Sequence, residues 1–427
     1  MPITKWAWHL KQIARRLWFR AVLISLLAVA AALVSLVVSP YLPEGLSAKV
    51  GADAVDSILS IIASSMLAVT TFSLSTMVAT YSAATSNVTP RATKLLIEDP
   101  TTQNVLAAFV GSFLYSLVAI IILSIGGYGE RGRVVLFGMT LVVVIIIVVT
   151  LLRWIDYLLR LGRVGETTKQ VEMAATRAMR ERKRAPYLGG VPAERLEKGI
   201  PANATAIRSR QIGYVQHVDV EALDEYARGA GGRVHVAALA GSFVGTSRPL
   251  AWCWGMQETP DLDKIAAAFT VGDERSFDQD PRFGLCVLGE IGLRALSPGV
   301  NDPGTAIDVI GRAVRVLAIW TEEDEGADIV YENVYVPSIA IEDLMEDVLT
   351  PLSRAAGGSV DVHIRLQKAF AVLAATGDAR YHDVARRNAR LALERARVAI
   401  PIPEDFERVR DAAAFGDLQG KDAHARA

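Results

Sequence analysis

Charge is missing from long parts of this chain. Four stretches, at 21–42, 57–82, 103–126 and 134–152, contain no Asp, Glu, Lys, Arg or His. Proton pumps and ion-coupled transporters rely on ionisable groups inside the membrane, so that absence argues against active transport. Cysteine is scarce as well. Cys253 and Cys286 form no CxxC pair, which excludes a disulfide-stapled secreted domain and reads as two buried thiols. There is no P-loop, no GxGxxG, no GxSxG and no HExxH. The histidines His9, His217, His235, His363, His382 and His424 show no metal-ligand spacing. His217 and His235 fall in predicted strands and are the one pair expected as neighbours, in a structural role. No cofactor, no metal and no catalytic residue is implied, and the chain is not expected to be an enzyme.

What is present is apolar bulk of a particular length. A helix needs about 20 apolar residues to cross the hydrocarbon core, and all four stretches supply enough. The most apolar is "VVLFGMTLVVVIIIVVTLL" at 134–152. The first follows a basic "KQIARR", but its apolar run exceeds that of a signal peptide and no small-x-small cleavage site follows. A retained first span is therefore expected.

Orientation follows from Lys and Arg near the span ends. Lys5, Lys11, Arg15, Arg16 and Arg20 precede the first span; Arg153, Arg160, Arg163 and Lys169 follow the fourth. The loop at 43–56 carries Glu44, Asp53 and Asp56 against Lys49. Both termini are expected in the cytoplasm; the outward "GYGERGR" turn, with two arginines, is the exception. Residues 1–20 mix Trp6, Trp8, Leu10, Ile13, Leu17, Trp18 and Phe19 with basic side chains. That mixture predicts an interfacial lead-in helix against anionic headgroups, with a disordered basic tail as the alternative.

The second span is unlike the rest. At 100° per residue, Ser57, Ser60, Ser64, Ala68, Thr71, Ser75, Ala79 and Ser82 fall on one face. All are small, and six carry a hydroxyl. Two arrangements use such a stripe: close helix packing and the wall of a water-filled path. The two are compatible in an oligomer. After this span, Pro90 and Asp99-Pro100 bracket a short helix in "TSNVTPRATKLLIEDPTTQ". The "NVT" at 87–89 is a chance sequon on the cytoplasmic side.

The charged remainder reads as a cytoplasmic α+β part. The fourth span is predicted to continue as a helix through "RWIDYLLRLGRVGETTKQVEMAATRAMRERKR", and a helical extension and linker occupy 153–210. Basic residues at 177–184 suit a solvated face near anionic lipid; without an aromatic platform, nucleic acid is not a predicted partner. A small β-rich domain is predicted at 211–277, with strands in "GYVQHVDV", "RVHVAALAG" and "PLAWCWG" and a helix in "EALDEYARGAGG". The "GSFVGTSRPLA" hairpin lacks the exposed lysine of cofactor-carrying domains. A helical domain at 278–400 follows, with a strand in "VYENVYVPS", then a loose polar tail at 401–427. The acidic "EEDE" from Glu322 to Glu325 reads as a solvated helix end or loop.

Within the helical domain one device occurs twice. Asp280-Pro281 and Asp302-Pro303 each place a capping carboxylate before a proline at the first helical position, predicting helices over 281–296 and 303–320 joined by "SPGVNDPG". Four N-terminal spans, then "GYVQHVD", then "DQDPRFGLCVLGEIGLRALSPGVNDPGTA", resemble the bacterial predicted membrane protein family called domain of unknown function 2254, from the first span to about residue 400. "RALSPGVNDPGTA" is the most specific string. The resemblance implies bacterial inner-membrane placement and this layout, and supplies no catalytic residue.

Asp278, Asp280, Arg282, Arg294, Asn301, Asp302 and Thr305 surround these two helix starts. If gathered, they form a small-ligand or ion site; otherwise they cap helices and lock a turn. The whole predicts a membrane all-α part with four transmembrane helices, followed by a cytoplasmic α+β domain. It is expected to be a homo-oligomeric channel or passive conduit with a regulatory or assembly domain. The alternative is a non-conducting sensor or scaffold that binds a cytoplasmic partner.

Overall fold

The computed structural model describes residues 4–14, 17–38, 52–128, 130–197, 199–322, 328–376 and 378–424. Glu44 and Lys49, and all of "EEDE" except Glu322, lie outside them. Contacts divide the chain into two units: His9–Thr167, and Met1–Trp8 with Thr168–Ala427.

The first unit is helical. It contains α2 (Leu17–Val38), α3 (Ala52–Asn87), α4 (Pro90–Ile97), α5 (Pro100–Ser124) and α6 (Glu130–Leu158). Three segments, Ala54–Thr85, Pro100–Ser124 and Gly132–Leu158, are long and apolar enough to cross a membrane. A fourth qualifies only if α1 (Lys5–Ala14) and α2 count as one broken span. The first span, expected at 21–42, thus corresponds to α2, and its last residues lie outside the described set. Half of the α5 window is buried, against 22% for α3 and 17% for α6, so α5 is the central helix. Gly111 lets α2 approach it: a Cβ there would lie 3.0 Å from Ile24 Cγ2. Leu59, Tyr115, Ala119, Tyr128 and Leu136 form one buried cluster. Its phenols are satisfied: Tyr128 donates to Ala32 O at 3.0 Å, and Tyr115 bonds Thr140 Oγ1 at 3.1 Å. Large side chains such as Phe72, Ile121, Ile145 and Leu152 face outward, as they do when lipid is the solvent.

The expected unbroken extension of α6 is not formed. The helix ends at Leu158, the chain turns through Gly162 at φ 82°, and α7 (Val164–Arg184) begins anew. Glycine takes that left-handed backbone without a Cβ penalty.

The second unit carries two sheets and a helical layer. Its further elements are β1 (Gly190–Pro192), β2 (Thr205–Arg208), β3 (Gly213–Val218), α8 (Val220–Gly229), β4 (Arg233–Val236), β5 (Phe243–Val244), β6 (Pro249–Trp254), α9 (Leu262–Ala267) and β7 (Phe269–Gly272). Then come α10 (Pro281–Ala295), α11 (Pro303–Ala318), β8 (Tyr331–Val336), α12 (Ile341–Ala355), α13 (Val360–Thr376), α14 (Ala379–Ala399) and α15 (Pro403–His424). The larger sheet runs β1-β8-β4-β6-β2, with β8 parallel to both neighbours and the remaining pairs antiparallel. The smaller runs β5-β3-β7, antiparallel throughout. Ile207, Val215, Leu223, Val234, Val236 and Val334 form the buried core beside the sheets.

This topology corrects the division expected at 277/278. β8 follows α10 and α11 in sequence yet sits between β1 and β4, so the β-rich and helical parts share one sheet. It also places β1, expected in a linker, within that sheet. Residues 403–424 form α15 rather than a loose tail. Proline at its first position and Glu404 and Asp405 in its first turn favour a helix start.

Glycines set the spacing of the helical layer. A Cβ on Gly284 would lie 2.4 Å from Ala175 Cβ, and one on Gly289 would lie 3.0 Å from Asp347 O. The "FGLCVLGEIG" segment is therefore glycine-rich because α7 and α12 press against α10.

Candidate functional site

The polar stripe of α3 points away from its own bundle. Ser57, Ser60, Ser64, Ala68, Thr71, Ser75, Ala79 and Ser82 are all exposed. Val55, Leu59, Ile62, Met66, Ser73, Met77 and Ala84 are buried, and at 100° per residue they occupy the opposite face. Packing inside this chain thus does not use the stripe. Three hydroxyls turn back onto the helix: Ser64 donates to Ser60 O at 2.9 Å, Thr71 to Leu67 O at 3.0 Å and Ser75 to Thr71 O at 3.0 Å. Apolar shoulders flank it, among them Ile61, Leu67, Phe72 and Val78.

The residues around the two Asp-Pro steps are not gathered. Asp280 caps the start of α10, while Asp302 caps α11 beyond the end of α10, its N–H donating to Ala295 O at 2.7 Å. The whole of α10 separates them, about 20 Å at about 1.5 Å per residue. Asp302 is exposed and accepts from Thr305 N at 3.0 Å and Thr305 Oγ1 at 2.6 Å. These bonds hold its carboxyl below the usual range. Asn301 adopts φ 48° in the turn. Asp278 accepts from Ser276 Oγ at 3.3 Å. Arg294 lies in the last turn of α10, at the Asp302 end. The same Asp-Pro device starts a third helix: Asp99 accepts from Thr101 N at the start of α5.

The Asp280 end is where charge is concentrated. Asp280 is 1% exposed and accepts from Phe283 N at 3.2 Å as a helix cap. Arg275 grips it with two bonds, Nε–Oδ2 at 2.8 Å and Nη2–Oδ1 at 3.0 Å, and donates to Cys286 Sγ at 3.4 Å. Gly241, at φ 92°, lies against the carboxylate; a Cβ there would be 2.3 Å from Oδ2. A second guanidinium, Arg182 of α7, is 3% exposed and donates to Gln279 O at 3.2 Å. Its Nε and Nη1 have no hydrogen-bond partner among the described residues. Burial pulls Arg182 down to about 10, opposed by Asp280. Burial and the Asp347 charge push the Cys286 thiol up to about 11. Gln279 ties the cluster to β3, accepting from Val218 N at 2.9 Å and donating to Val218 O at 3.1 Å. On the next turn, Arg282 holds Asp347 bidentately, with bonds of 2.7 and 3.0 Å, and also pairs with Asp343.

Both carboxylate oxygens of Asp280 are thereby engaged, and the arrangement fastens α7, β3 and α12 to the start of α10. A buried guanidinium, Arg182, and a partly buried one, Arg275, against the buried carboxylate of Asp280 make this the electrostatic centre of the unit. Arg182 and Arg275 were not among the residues singled out from sequence. Arg275 stands five residues before Asp280, a visible signal. Arg182 sits within the basic run read as a solvated face, and the structure corrects that reading for this residue.

Two further expectations change. His217 and His235 lie on β3 and β4, in different sheets, and are not a pair. Among the described residues no group of three His, Cys, Asp or Glu could hold a metal ion. Trp8, read from sequence as part of an interfacial helix, is buried and stacked on His217 with centroids 5.6 Å apart. Lys5 reinforces that contact, its backbone N–H donating to Asp219 Oδ2 at 2.6 Å and its Nζ to Ala267 O at 2.6 Å. Trp6 and Leu10 remain exposed.

Comparison with known proteins adds a family. Uncharacterized proteins of Mycobacterium tuberculosis and Mycobacterium bovis are 34% identical over 125 residues, 28% of this chain and 24% of each relative. The chain thus spans about a quarter of the length of these curated relatives. No solved structure matches it. A family model described as predicted membrane protein matches residues 14–372, which takes in the apolar helices, both sheets and the "RALSPGVNDPGTA" turn. The chain belongs to that family, domain of unknown function 2254.

Proposed function

We propose that this protein is a homo-oligomeric channel or passive conduit of the bacterial inner membrane, with the α3 stripes of several copies bordering the path. Both termini and the second unit lie in the cytoplasm in this reading, and the second unit assembles or regulates the oligomer. The observation that carries it is the exposure of all eight stripe residues on the face opposite the buried one. Small residues turned away from their own bundle suit close approach of another copy, and hydroxyls suit a wet wall. The basic residues flanking the first and fourth apolar segments support the orientation.

A second reading is a non-conducting anchored sensor or scaffold. The back-bonded hydroxyls of Ser64, Thr71 and Ser75 favour it, since they are satisfied without water. The test is labelling of Ser64→Cys and Thr71→Cys in membranes by a water-soluble thiol reagent, beside ion flux through liposomes holding the folded protein. The native background is low: burial raises both thiols, Cys253 and Cys286. Labelling at both positions with flux supports the conduit. Protection at both with tight vesicles overturns it in favour of the scaffold.

A further inference from the structure

α14 spends its arginines unevenly. Arg380 pairs with Glu342, Arg397 pairs with Glu394, and Arg395 donates to Ser353 Oγ at 3.2 Å. Arg386, Arg387 and Arg390 line a cavity of about 430 Å³ between α13, α14 and α15. Asp383 is the only carboxylate on its wall among the described residues, and it is an exposed one. Arg390 has no hydrogen bond or ion pair among the described residues. Arg387, which also feels the Glu342 carboxylate, and Arg390 stand against that one described carboxylate and leave the wall with a net positive charge.

The rest of the wall is equally specific. Leu393 of α14 and Ala413 of α15 make part of it apolar. Gln367 of α13 lines it too; it is 2% exposed, its Nε2 donates to Ala389 O at 3.0 Å, and its Oε1 has no partner among the described residues. A buried polar atom without a partner costs free energy, so an unmatched acceptor on a cavity wall marks a place for a donor. The volume lies in the range of small-molecule sites. Guanidinium forks match phosphate oxygens in geometry and charge.

We propose that this cavity binds an organic phosphate. The phosphate dianion meets Arg387 and Arg390, the body of the ligand lies on Leu393 and Ala413, and an N–H or O–H of the ligand faces the Gln367 side. A free metabolite and a phospholipid headgroup share this chemistry. The site is separate from the α3 stripe, and its occupancy does not depend on whether the protein conducts.

The test uses the full-length protein in detergent. Binding of inorganic pyrophosphate, of adenosine monophosphate and of short-chain phosphatidylglycerol is measured by calorimetry for the wild type, Arg387→Gln/Arg390→Gln and Arg380→Gln. Saturable wild-type binding of at least one probe is expected, at least tenfold weaker in the double variant and unchanged in Arg380→Gln. Binding of a soluble probe identifies a free phosphate compound as the source, and binding of the lipid alone identifies a headgroup. A second measurement needs no variant: phenylglyoxal modification of the wild type, read by mass spectrometry, should spare Arg387 and Arg390, and not Arg380, when the binding probe is present. The proposal fails if no probe binds at about 1 mM, the weak end of specific affinities. It also fails if the double variant binds as the wild type does, or if the two arginines are not protected.

Discussion

The two Asp-Pro steps look alike in sequence, and the structure predicts very different costs for breaking them. Asp302→Ala removes an exposed cap, a loss of about 1 kcal/mol. Asp280→Ala removes the same kind of cap and also the only carboxylate bonded to Arg275 among the described residues, in a place that is 1% exposed and lies near Arg182 as well. Removing one partner of a buried ion pair costs about 3–5 kcal/mol, so the total is about 4–6 kcal/mol with the cap included. For a unit of this size each kcal/mol moves the unfolding midpoint by about 2–4 °C. Asp280→Ala should then lower the midpoint of the detergent-solubilised protein by about 10 °C or more, and Asp302→Ala by only about 2–4 °C. Asparagine separates the two contributions, because it caps helices well but carries no charge. Asp280→Asn should keep most of the loss, whereas Asp302→Asn should restore the wild-type midpoint. Equal shifts at the two positions would refute the assignment of Asp280 to a buried electrostatic centre.

Two other expectations concern acid and glycine. Burial holds His363 below the usual imidazole range, against the pull of the Gly357 carbonyl, and burial does the same for His235 against Glu194. The unfolded chain then binds more protons below about pH 6.5. Stability is fully present above that pH and falls as the solution is acidified toward the depressed folded values. The drop in unfolding midpoint between about pH 7.5 and about pH 5.5 should shrink in His363→Gln; an unchanged drop would show that His363 does not contribute. Gly284→Ala should destabilise by about 1–3 kcal/mol, because its methyl group would meet Ala175 of α7. Gly311→Ala, with nothing near the added Cβ, should instead stabilise by about 1 kcal/mol. Unfolding midpoints of the two variants that move in the same direction would contradict the packing of α7 on α10.

Local signals in the sequence carried far. The apolar runs, the Asp-Pro starts of α10 and α11, and the alternating pattern of β3 are written in neighbouring residues, and the physics that reads them acts over a few positions. The small stripe of α3 was visible for the same reason, since its period is that of a single helix. Its direction was not visible, because which side of α3 meets α5 depends on three other helices. The charged centre was hidden by distance: Arg182 and Asp280 are brought together by helix packing, not by spacing. The basic run at 177–184 reads as surface unless the burial of one member is known. The placement of β8 was equally hidden, since nothing in "YENVYV" says which strands flank it. α15 is a different matter; Pro403, Glu404 and Asp405 announce a helix locally, while the polar composition that follows has no long apolar face to mark its length.

The position of β8 has a consequence for how the protein is made. On a ribosome, β1 and β4 emerge long before β8, and their facing edges have no partner until the chain has been synthesised beyond Val336. Parallel strand pairs of that kind close late, after a costly loop, and bare edges invite pairing with foreign strands. The nascent chain therefore carries an open sheet for as long as α10 and α11 take to be translated, and a product cut short between β7 and β8 lacks the strand that joins β1 to β4.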